Sequence, residues 1–477
     1  MPRRSVRLHD ADASLFTSGI AAIAAELEVS RDFQPDVLAE AHDAVSSVSL
    51  SGDDRTDIPF LTIDPPGAKD LDQAMHLERS GSGYTVWYAI ADVAAFVRPG
   101  GAVDAEAQRR GQTLYAPDHR IPLHPPVVSE DAASLLPGQL RPALVWRIDL
   151  DARGDQTGAE VTRGRVRSRE QLDYATVQQG LDAGRAPQVF QLLREVGLLR
   201  QERERERGGV SLPLPEQEVV TADRCWSLRY RAQLPVEEWN AQISLLTGMA
   251  AADLMMYAEV GLLRTLPPAD SRAINRLRRT AGALHIGWPA AMLYPSFVRT
   301  LDPTKPTHAA MLEACTGLLR GAGYVAFEGG VPEQPLHAAI AEEYAHVTAP
   351  LRRFADRFVG EICVAICADQ PVAGWVRERL RDLPQAMKDS DRRSAAFDRA
   401  VLDLVEAGVL AGAVGATFSG VVVDTEEKDP RSGTIVIADP AVEAPVRSEQ
   451  PLALGDVVAV RLDRADPAQR AVQFSLA

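Results

Sequence analysis

The amino-acid sequence predicts an α+β protein of three parts, on the basis of its composition, a change in periodicity near residue 55 and five short β-runs after Gly412. The chain has 477 residues, of which 46% are hydrophobic and 25% are charged, a composition typical of folded globular proteins. We expect a small helical N-terminal domain at residues 1–54 and a central domain at 55–409, with a mixed, barrel-like β-sheet core and surrounding helices. A β-barrel of the OB type is expected at residues 410–477.

The N-terminal part contains two helical patterns. Apolar residues recur at helical spacing within residues 13–30, and a second pattern begins with a proline suited to a first turn and covers residues 35–47. Such a pair of helices can form a helix-turn-helix module, but the basic residues are few: Arg3, Arg4 and Arg7. We therefore expect these helices to pack against the central domain.

The remaining elements follow from changes in residue pattern. Short β-rich runs, such as 60–63 and 84–90, alternate with turns after a linker at 49–54, and the pattern becomes mostly helical from about residue 170. The main expected helices cover residues 187–207, 236–259, 308–320, 352–368 and 389–406. The five C-terminal β-runs cover residues 416–423, 433–437, 442–446, 456–462 and 471–476. Five short strands with glycines at the corners are typical of an OB-type barrel.

The net charge argues at first against nucleic-acid binding. The chain has 51 basic and 66 acidic residues, which gives a formal net charge of −15. Binding to a polyanion depends on Lys and Arg side chains that displace condensed counterions. On charge alone, a general nucleic-acid binder is therefore disfavoured.

Cysteine usage and hydropathy indicate the compartment. The cysteines are too few and too unevenly spaced for a disulfide framework: Cys225, Cys315, Cys363 and Cys367. We therefore expect a reducing, cytoplasmic setting and no disulfide-linked partner. No run approaches the roughly 18 apolar residues of a membrane span, and no apolar segment follows Met1 as in a signal peptide. We expect neither.

A cluster of aspartates is the strongest local signal. Asp64, Asp70 and Asp72 lie within nine residues at the end of a predicted strand. Clustered carboxylates repel one another unless a cation neutralises them, and hard divalent cations prefer carboxylate oxygens. The spacing lacks the glycine and the closing glutamate of an EF-hand. A metal site or a solvated acidic turn can explain the pattern.

A second group lies almost three hundred residues further along. Thr348 and Pro350 indicate a helix entrance, with Arg352 and Arg353 in the first turn. Basic residues there oppose the helix dipole, but they suit a phosphate-binding site. The alternative is an exposed basic helix face. Three carboxylates and two arginines together suggest metal-assisted phosphodiester chemistry.

With these motifs the sequence resembles the ribonuclease II/R family, whose RNB catalytic domain hydrolyses RNA from the 3′ end. The resemblance covers approximately residues 55–400 and rests on several motifs in the order that the family has them. These motifs occupy residues 62–72, 89–93, 103–110, 114–117, 121–123, 134–135, 236–238 and 344–356.

The resemblance implies roles for individual residues. Asp64, Asp70 and Asp72 match the family's magnesium-site aspartates, and Arg352 matches an arginine that holds the scissile phosphate. Tyr115 is similar to an aromatic residue that stacks on terminal bases. The family also has a tyrosine that sets the size of the final product, at the position of Tyr174 here, and an acidic residue that contacts the 3′ nucleotide, at Glu237 or Glu238. For both tyrosines the alternative is a half-buried core aromatic.

The chain also departs from the family pattern. Gln73 occupies the place of a fourth aspartate, and its amide oxygen can ligate a cation but brings no charge, so we expect weaker metal binding. Ala349 replaces a serine. The 54 residues of the N-terminal part are too few for the family's two cold-shock domains. The C-terminal barrel has only Phe418 and Phe474 as aromatics, which reduces its stacking capacity for RNA.

The resemblance therefore implies a hydrolytic, processive 3′–5′ exoribonuclease that degrades single-stranded RNA to nucleoside 5′-monophosphates. It implies Mg²⁺ as the cofactor, as one ion or two, with Mn²⁺ as a substitute, and we expect a monomer. The alternative is a catalytically impaired RNA-binding protein of the same fold. An endonuclease is a third candidate.

Overall fold

A computed structural model describes residues 13–214, 216–222, 225–426 and 428–477. The basic cluster of Arg3, Arg4 and Arg7 lies outside these residues. The α-helices of the described part are α1 (Ala13–Glu26), α2 (Pro35–Ser47), α3 (Ala102–Arg110), α4 (Tyr174–Asp182), α5 (Gln188–Arg207), α6 (Pro235–Tyr257), α7 (Ser271–Ala283), α8 (Tyr294–Val298), α9 (Pro306–Thr316), α10 (Phe354–Cys367), α11 (Gly374–Leu380) and α12 (Leu383–Leu410).

The β-strands lie mainly in a central sheet and a C-terminal barrel. Those of the first half are β1 (Asp53–Asp54), β2 (Leu61–Ile63), β3 (Gln73–Ser80), β4 (Gly83–Ala91), β5 (Leu114–Tyr115), β6 (Arg120–Ile121), β7 (Leu140–Leu150), β8 (Gln156–Arg167) and β9 (Glu170–Leu172). Those of the second half are β10 (Glu216–Ala222), β11 (Cys225–Arg231), β12 (Val260–Thr265), β13 (Gly323–Glu328), β14 (Leu336–His337), β15 (Glu342–Glu343), β16 (Thr417–Thr425), β17 (Ser432–Ala438), β18 (Ala441–Arg447), β19 (Val457–Asp466) and β20 (Ala471–Leu476).

The central sheet has seven strands in the order β1-β8-β7-β4-β3-β2-β9. Its long strands form antiparallel hairpins, whereas β1 and β2 pair in parallel with β8 and β9. The middle strand β4 is buried on both faces, which explains its nearly continuous apolar sequence. Helices α6 and α10 pack on this sheet through apolar residues such as Ile243 and Phe358. The predicted mixed sheet with surrounding helices is confirmed.

The expectation of a mostly helical region after residue 170 is wrong for residues 216–222 and 225–231. There β10 and β11 form an antiparallel hairpin. In β11, Trp226 and Leu228 are buried while Ser227 is exposed, an alternation that belongs to a strand with one face on a core. In the described part of the chain, two further short strand pairs lie between β11 and Arg352: β12 with β13 and β14 with β15.

The C-terminal strands close into a five-stranded barrel in the order β16-β17-β18-β20-β19. Side chains such as Val422, Ile435 and Phe474 are fully buried in its interior. The predicted OB-type barrel is therefore confirmed, with strand bounds that differ by a few residues from those expected.

The N-terminal helices pack against the rest of the chain. On α1, Phe16 stacks on Trp226 with ring centroids 4.4 Å apart, and it lies so close to Gly408 of α12 that a Cβ at residue 408 would approach its ring to 2.4 Å. On α2, Glu40 accepts hydrogen bonds from the backbone at the start of α3. The domain boundaries at residues 54 and 409 stay a prediction.

Candidate active site

The three aspartates lie around a tight turn between β2 and β3. Asp64 directly follows β2, and the chain then reverses at Gly67, whose φ of +80° suits glycine. The hydroxyl of Ser134 braces the turn, since it accepts a hydrogen bond from the Leu71 amide and donates one to the Lys69 carbonyl. The turn therefore carries the carboxylates to one edge of the sheet.

Asp64 has the least satisfied carboxylate of the three. Its Oδ2 atom is buried and has no hydrogen-bond partner among the residues that the structure describes. Burial raises the pKa of Asp64 to about 7, repulsion from Asp70 adds to this, and attraction to Arg352 acts in the opposite direction. A buried carboxylate without full compensation favours either a proton or a bound cation.

Two side chains of the β5–β6 hairpin donate hydrogen bonds to the Asp70 carboxylate. The Tyr115 hydroxyl donates a hydrogen bond of 3.0 Å to one carboxylate oxygen of Asp70, and Arg120 donates one of 2.5 Å to the other. The Tyr115 side chain is half exposed, at 49%. One face of its ring can therefore stack on a ligand while its hydroxyl touches the carboxylate cluster.

Asp72 joins the cluster to the distant arginine motif. Its side chain accepts hydrogen bonds from the Leu351 amide at 2.7 Å and from Nε of Arg352 at 3.1 Å. Asp72 is only 4% exposed, and burial raises its pKa to about 7, although Arg352 and the Leu351 amide act in the opposite direction. The two motifs that the sequence places far apart thus form one site.

The two neighbouring arginines differ in their surroundings. The predicted helix start at residue 352 is wrong, because Arg352 and Arg353 form a turn on the Ala349 carbonyl and α10 begins at Phe354. Arg353 makes a two-pronged ion pair with the buried Asp356, at 2.5 and 2.8 Å. The Arg352 side chain is 47% exposed, and only its Nε atom is bonded within the described residues. Its two terminal nitrogens are therefore available to a ligand.

Gln73 lies in a chain of hydrogen bonds. Its amide nitrogen donates to the Thr348 carbonyl at 2.6 Å, and its amide oxygen accepts from the Tyr88 hydroxyl at 2.8 Å. The Tyr88 oxygen also lies 2.9 Å from the Ser244 hydroxyl. This chain ties β3, β4 and α6 to the segment that precedes Arg352.

Tyr174, Glu237 and Glu238 lie at the ends of α4 and α6. Tyr174 accepts a hydrogen bond from Asn240 at 3.1 Å, and burial raises its pKa to about 12, with the charges of Asp64 and Glu237 adding to the shift. Glu237 caps α6 through the Leu234 amide and pairs with Arg231. Glu238 instead bonds Gln201 at the exposed surface. Glu237 therefore belongs to the surroundings of Tyr174 and Asp64.

Several residues of the site carry no signal that singles them out in the sequence. These are Arg120, Tyr88, Ser244 and Asn240. Two acidic residues of the recognised motifs have structural roles instead, since Asp92 pairs with Arg163 and the buried Asp104 pairs with Arg357. Only the fold distinguishes these scaffold ion pairs from the ones at the site.

The donor set at this site fits a hard divalent cation. The three aspartates supply carboxylate oxygens, the ligand type that Mg²⁺ takes, and the buried Oδ2 of Asp64 has no hydrogen-bond partner in the described part of the chain. A positive charge there would offset the desolvation that raises the pKa of Asp64 and Asp72. Within the described ranges no three His, Cys, Asp or Glu side chains lie close enough together to form a metal-binding group. Instead, the carboxylate of Asp70 is bonded to Arg120 and that of Asp72 is bonded to Arg352.

Comparison with known families identifies the class of protein that this fold and site define. Residues 53–368 match the RNB domain, and residues 416–477 match the RNase II-type exonuclease C-terminal S1 domain. The chain therefore belongs to the RNB-domain family, which confirms the predicted resemblance.

Among the described helices, none combines the length and the apolar character that a membrane span requires.

Particular relatives include ribonuclease R of Escherichia coli K12, which is 27% identical over 402 residues, covering 77% of this chain and 48% of that protein. The exosome complex exonuclease dis3 of Schizosaccharomyces pombe is 26% identical over 319 residues, covering 64% of this chain and 33% of that protein. The chain thus spans about half the length, or less, of these relatives. Mycoplasma genitalium RNase R, solved in complex with ribose-methylated single-stranded RNA, superposes with a TM-score of 0.86 at 19% identity, covering 97% of this chain and 78% of that one.

Proposed function

We propose that this chain is a hydrolytic, processive 3′–5′ exoribonuclease that degrades single-stranded RNA to nucleoside 5′-monophosphates. The observation that carries the proposal is the contact between Asp72 and Arg352, residues 280 positions apart. It brings a carboxylate, which can bind a cation, next to a guanidinium, which can bind a phosphate. Relatives named as ribonuclease R and as an exosome exonuclease support the same activity.

In this proposal, Asp64, Asp70 and Asp72 hold Mg²⁺, as one ion or two, with Mn²⁺ as a substitute. Such an ion would lower the pKa of a bound water and neutralise charge on the scissile phosphate. The free nitrogens of Arg352 donate hydrogen bonds to that phosphate, where negative charge grows in the transition state. Asp72 is buried, and the low dielectric around it strengthens its attraction to Arg352 and to a bound cation.

The residues around the carboxylates hold the RNA strand. Tyr115 stacks on a base near the 3′ end. Tyr174 contacts the terminal nucleotide together with Glu237 or Glu238. Of these two glutamates, Glu237 lies nearer to Tyr174 and Asp64. Gln73 and Arg353 support this binding region through Thr348 and Asp356. Because stacking tolerates every base, we expect little sequence preference.

The deciding experiment follows an end-labelled single-stranded RNA on a denaturing gel in the presence of Mg²⁺. We expect a ladder that shortens from the 3′ end and nucleoside 5′-monophosphates as the released product. Asp72→Asn should abolish the ladder, because it removes a charged oxygen from the buried cluster. Asp131→Asn is a matched control, since Asp131 is an exposed carboxylate that pairs with Arg141.

Other results would contradict the proposal. RNA retention without release of monophosphates under any divalent ion indicates a catalytically impaired RNA-binding protein. Internal fragments indicate an endonuclease. Equal rates for the wild type and Asp72→Asn would exclude the carboxylate cluster as the reaction centre.

We further propose a monomer that acts in the cytoplasm without a disulfide-linked partner. The three cysteines whose side chains the structure describes are free thiols, and two of them, Cys315 and Cys363, are buried. Sedimentation of the purified chain tests the monomer, and an unchanged mass after treatment with a reductant tests the absence of a disulfide-linked partner.

A further inference from the structure

Arg120 brings a second positive charge to the carboxylate cluster, in addition to that of Arg352. It lies on β6 directly opposite Tyr115 of β5, and these two cross-strand neighbours donate to different oxygens of Asp70. The Nε atom of Arg120 donates a further hydrogen bond of 2.8 Å to Glu130. The guanidinium therefore bridges two carboxylates, one of which is a proposed metal ligand.

This bridge makes Arg120 a fixed cation at the edge of the site. Two bonds from separate nitrogens orient the planar guanidinium, which stays protonated at any pH that a protein tolerates. The side chains of Arg120 and Asp70 are 21% and 11% exposed, so water screens their attraction only in part. The positive charge is therefore present whether or not a metal ion is bound.

The charges at the site come close to balance with one divalent ion. Among the described residues, four carboxylates and two guanidiniums belong to the cluster and its ion pairs: Asp64, Asp70, Asp72, Glu130, Arg120 and Arg352. With the carboxylates ionised, their net charge is −2, which one divalent ion neutralises. Lys69 lies in the same turn but is exposed, where solvent screens its charge. A second divalent ion would leave excess positive charge in a partly buried site, which is costly.

The supply of oxygen ligands favours one ion as well. The amide oxygen of Gln73, at the place of the family's fourth aspartate, accepts a hydrogen bond from Tyr88. Both oxygens of Asp70 and both oxygens of Asp72 also accept hydrogen bonds from the protein. Paired catalytic ions lie about 3.5–4 Å apart and need ligands for each ion. Such a pair would have to share oxygens that are already engaged.

We infer that Arg120 takes the electrostatic role of a second cation, so that this site binds one divalent ion instead of two. The inference rests on the proposed function, which leaves the number of ions open. Asp64, whose buried Oδ2 has no hydrogen-bond partner in the described part of the chain, offers that ion a free oxygen. Arg120 is a positioning residue, because it orients Asp70 and supplies charge through it.

Electron paramagnetic resonance of Mn²⁺ counts the bound ions independently of activity. The full chain, free of RNA, is titrated with Mn²⁺ beside Asp64→Asn, so that ions bound elsewhere on the acidic surface are subtracted. We expect the wild type to bind one Mn²⁺ more than Asp64→Asn, with no coupling between ions. Arg120→Gln keeps a donor to Asp70 but removes the charge, and it should bind two more, with the coupled signal of a close pair.

Two further variants separate the charge of Arg120 from its shape. Arg120→Lys keeps the positive charge and should retain a single ion. Arg147→Gln is the matched control, because Arg147 on β7 also bridges two carboxylates, Asp149 and Glu160, and it should bind Mn²⁺ as the wild type does. The rate of RNA hydrolysis should rise hyperbolically with Mg²⁺ for the wild type and sigmoidally for Arg120→Gln.

The outcomes separate this inference from the proposed function. A wild type that binds a coupled pair of Mn²⁺ ions would overturn the inference, and degradation of RNA by that protein would leave the proposed function intact. An Arg120→Gln variant that binds a single ion would also overturn it, since the charge of Arg120 would then not decide the count. A wild type that binds no more Mn²⁺ than Asp64→Asn would overturn it as well, and if that protein leaves RNA undegraded the proposed function is wrong too.

Discussion

The side-chain amide of Gln73 donates a hydrogen bond of 2.6 Å to the main-chain carbonyl of Thr348. This contact crosses from β3 to the segment that leads to Arg352, and the amide makes it while also accepting a hydrogen bond from Tyr88, which an ionised carboxylate could not do. Where the family has a fourth aspartate, this chain therefore has a residue that fastens one half of the site to the other.

Gln73→Glu tests this role. The variant keeps an acceptor for Tyr88 but sets a carboxylate against the Thr348 carbonyl, so we expect the free energy of unfolding to fall by about 1–3 kcal/mol. Denaturant titration measures it, with Gln139→Glu as the control, because Gln139 is exposed. A stability equal to that of the wild type with a lower Mg²⁺ requirement would instead identify residue 73 as a metal ligand.

The adjacent arginines should separate catalysis from stability. Arg352→Ala removes a donor to the scissile phosphate, so we expect kcat to fall by about 100- to 1,000-fold. Its loss of stability should be smaller than that of Arg353→Ala, because Asp72 keeps its hydrogen bond from the Leu351 amide. Arg353→Ala leaves the buried carboxylate of Asp356 without its partner, so we expect a loss of about 3–5 kcal/mol in stability. Rate measurements and denaturant titrations on both variants test this assignment. A larger loss of stability for Arg352→Ala and a larger loss of kcat for Arg353→Ala would contradict it.

Tyr115 has two roles that substitutions can separate: stacking on a base and the hydrogen bond to Asp70. Tyr115→Ala removes the exposed ring, and we expect RNA binding to weaken by about 1–3 kcal/mol, the value of one stacked base. Tyr115→Phe keeps the ring and removes only the hydrogen bond to Asp70, so affinity should stay near that of the wild type. Equal affinity for all three proteins would show that no base stacks there.

Glu406 gives the stability a defined pH dependence. Burial raises its pKa to about 7, while its side chain accepts hydrogen bonds from Gln217 and the Glu443 amide. Because the folded pKa lies above the ordinary value of about 4.5, the contribution of Glu406 is complete below pH 4.5. It is lost as the pH rises through 7, by roughly 3 kcal/mol.

Glu406→Gln should remove this dependence, since an amide oxygen can accept the same hydrogen bonds. The variant should be more stable than the wild type above pH 7 and show a flatter profile between pH 4.5 and 7. Glu449→Gln, at an exposed position of the barrel, is the control. Parallel profiles for the wild type and Glu406→Gln would show that residue 406 does not titrate in this range.

Much of the fold could be predicted from local patterns, because helices such as α2 and α5 and the five barrel strands have clear periodicity. The hairpin of β10 and β11 could not, since its apolar face is defined only by the barrel and α1 against which it packs. At the site, the aspartates and Arg352 were recognisable by residue type and order. Arg120 and Tyr88 were not, because nothing in the sequence says that they meet Asp70 and Gln73.

The packing of Phe16 between Trp226 and Gly408 couples the thermal unfolding of α1 to that of the C-terminal part of the chain. Helix α1, the β10–β11 hairpin, α12 and the C-terminal barrel share one apolar cluster, and Arg470 of the barrel also pairs with Glu26 of α1. A barrel whose core residues belong to a cluster shared with these helices has little independent stability. On heating, we therefore expect the barrel and α1 to unfold in a single transition.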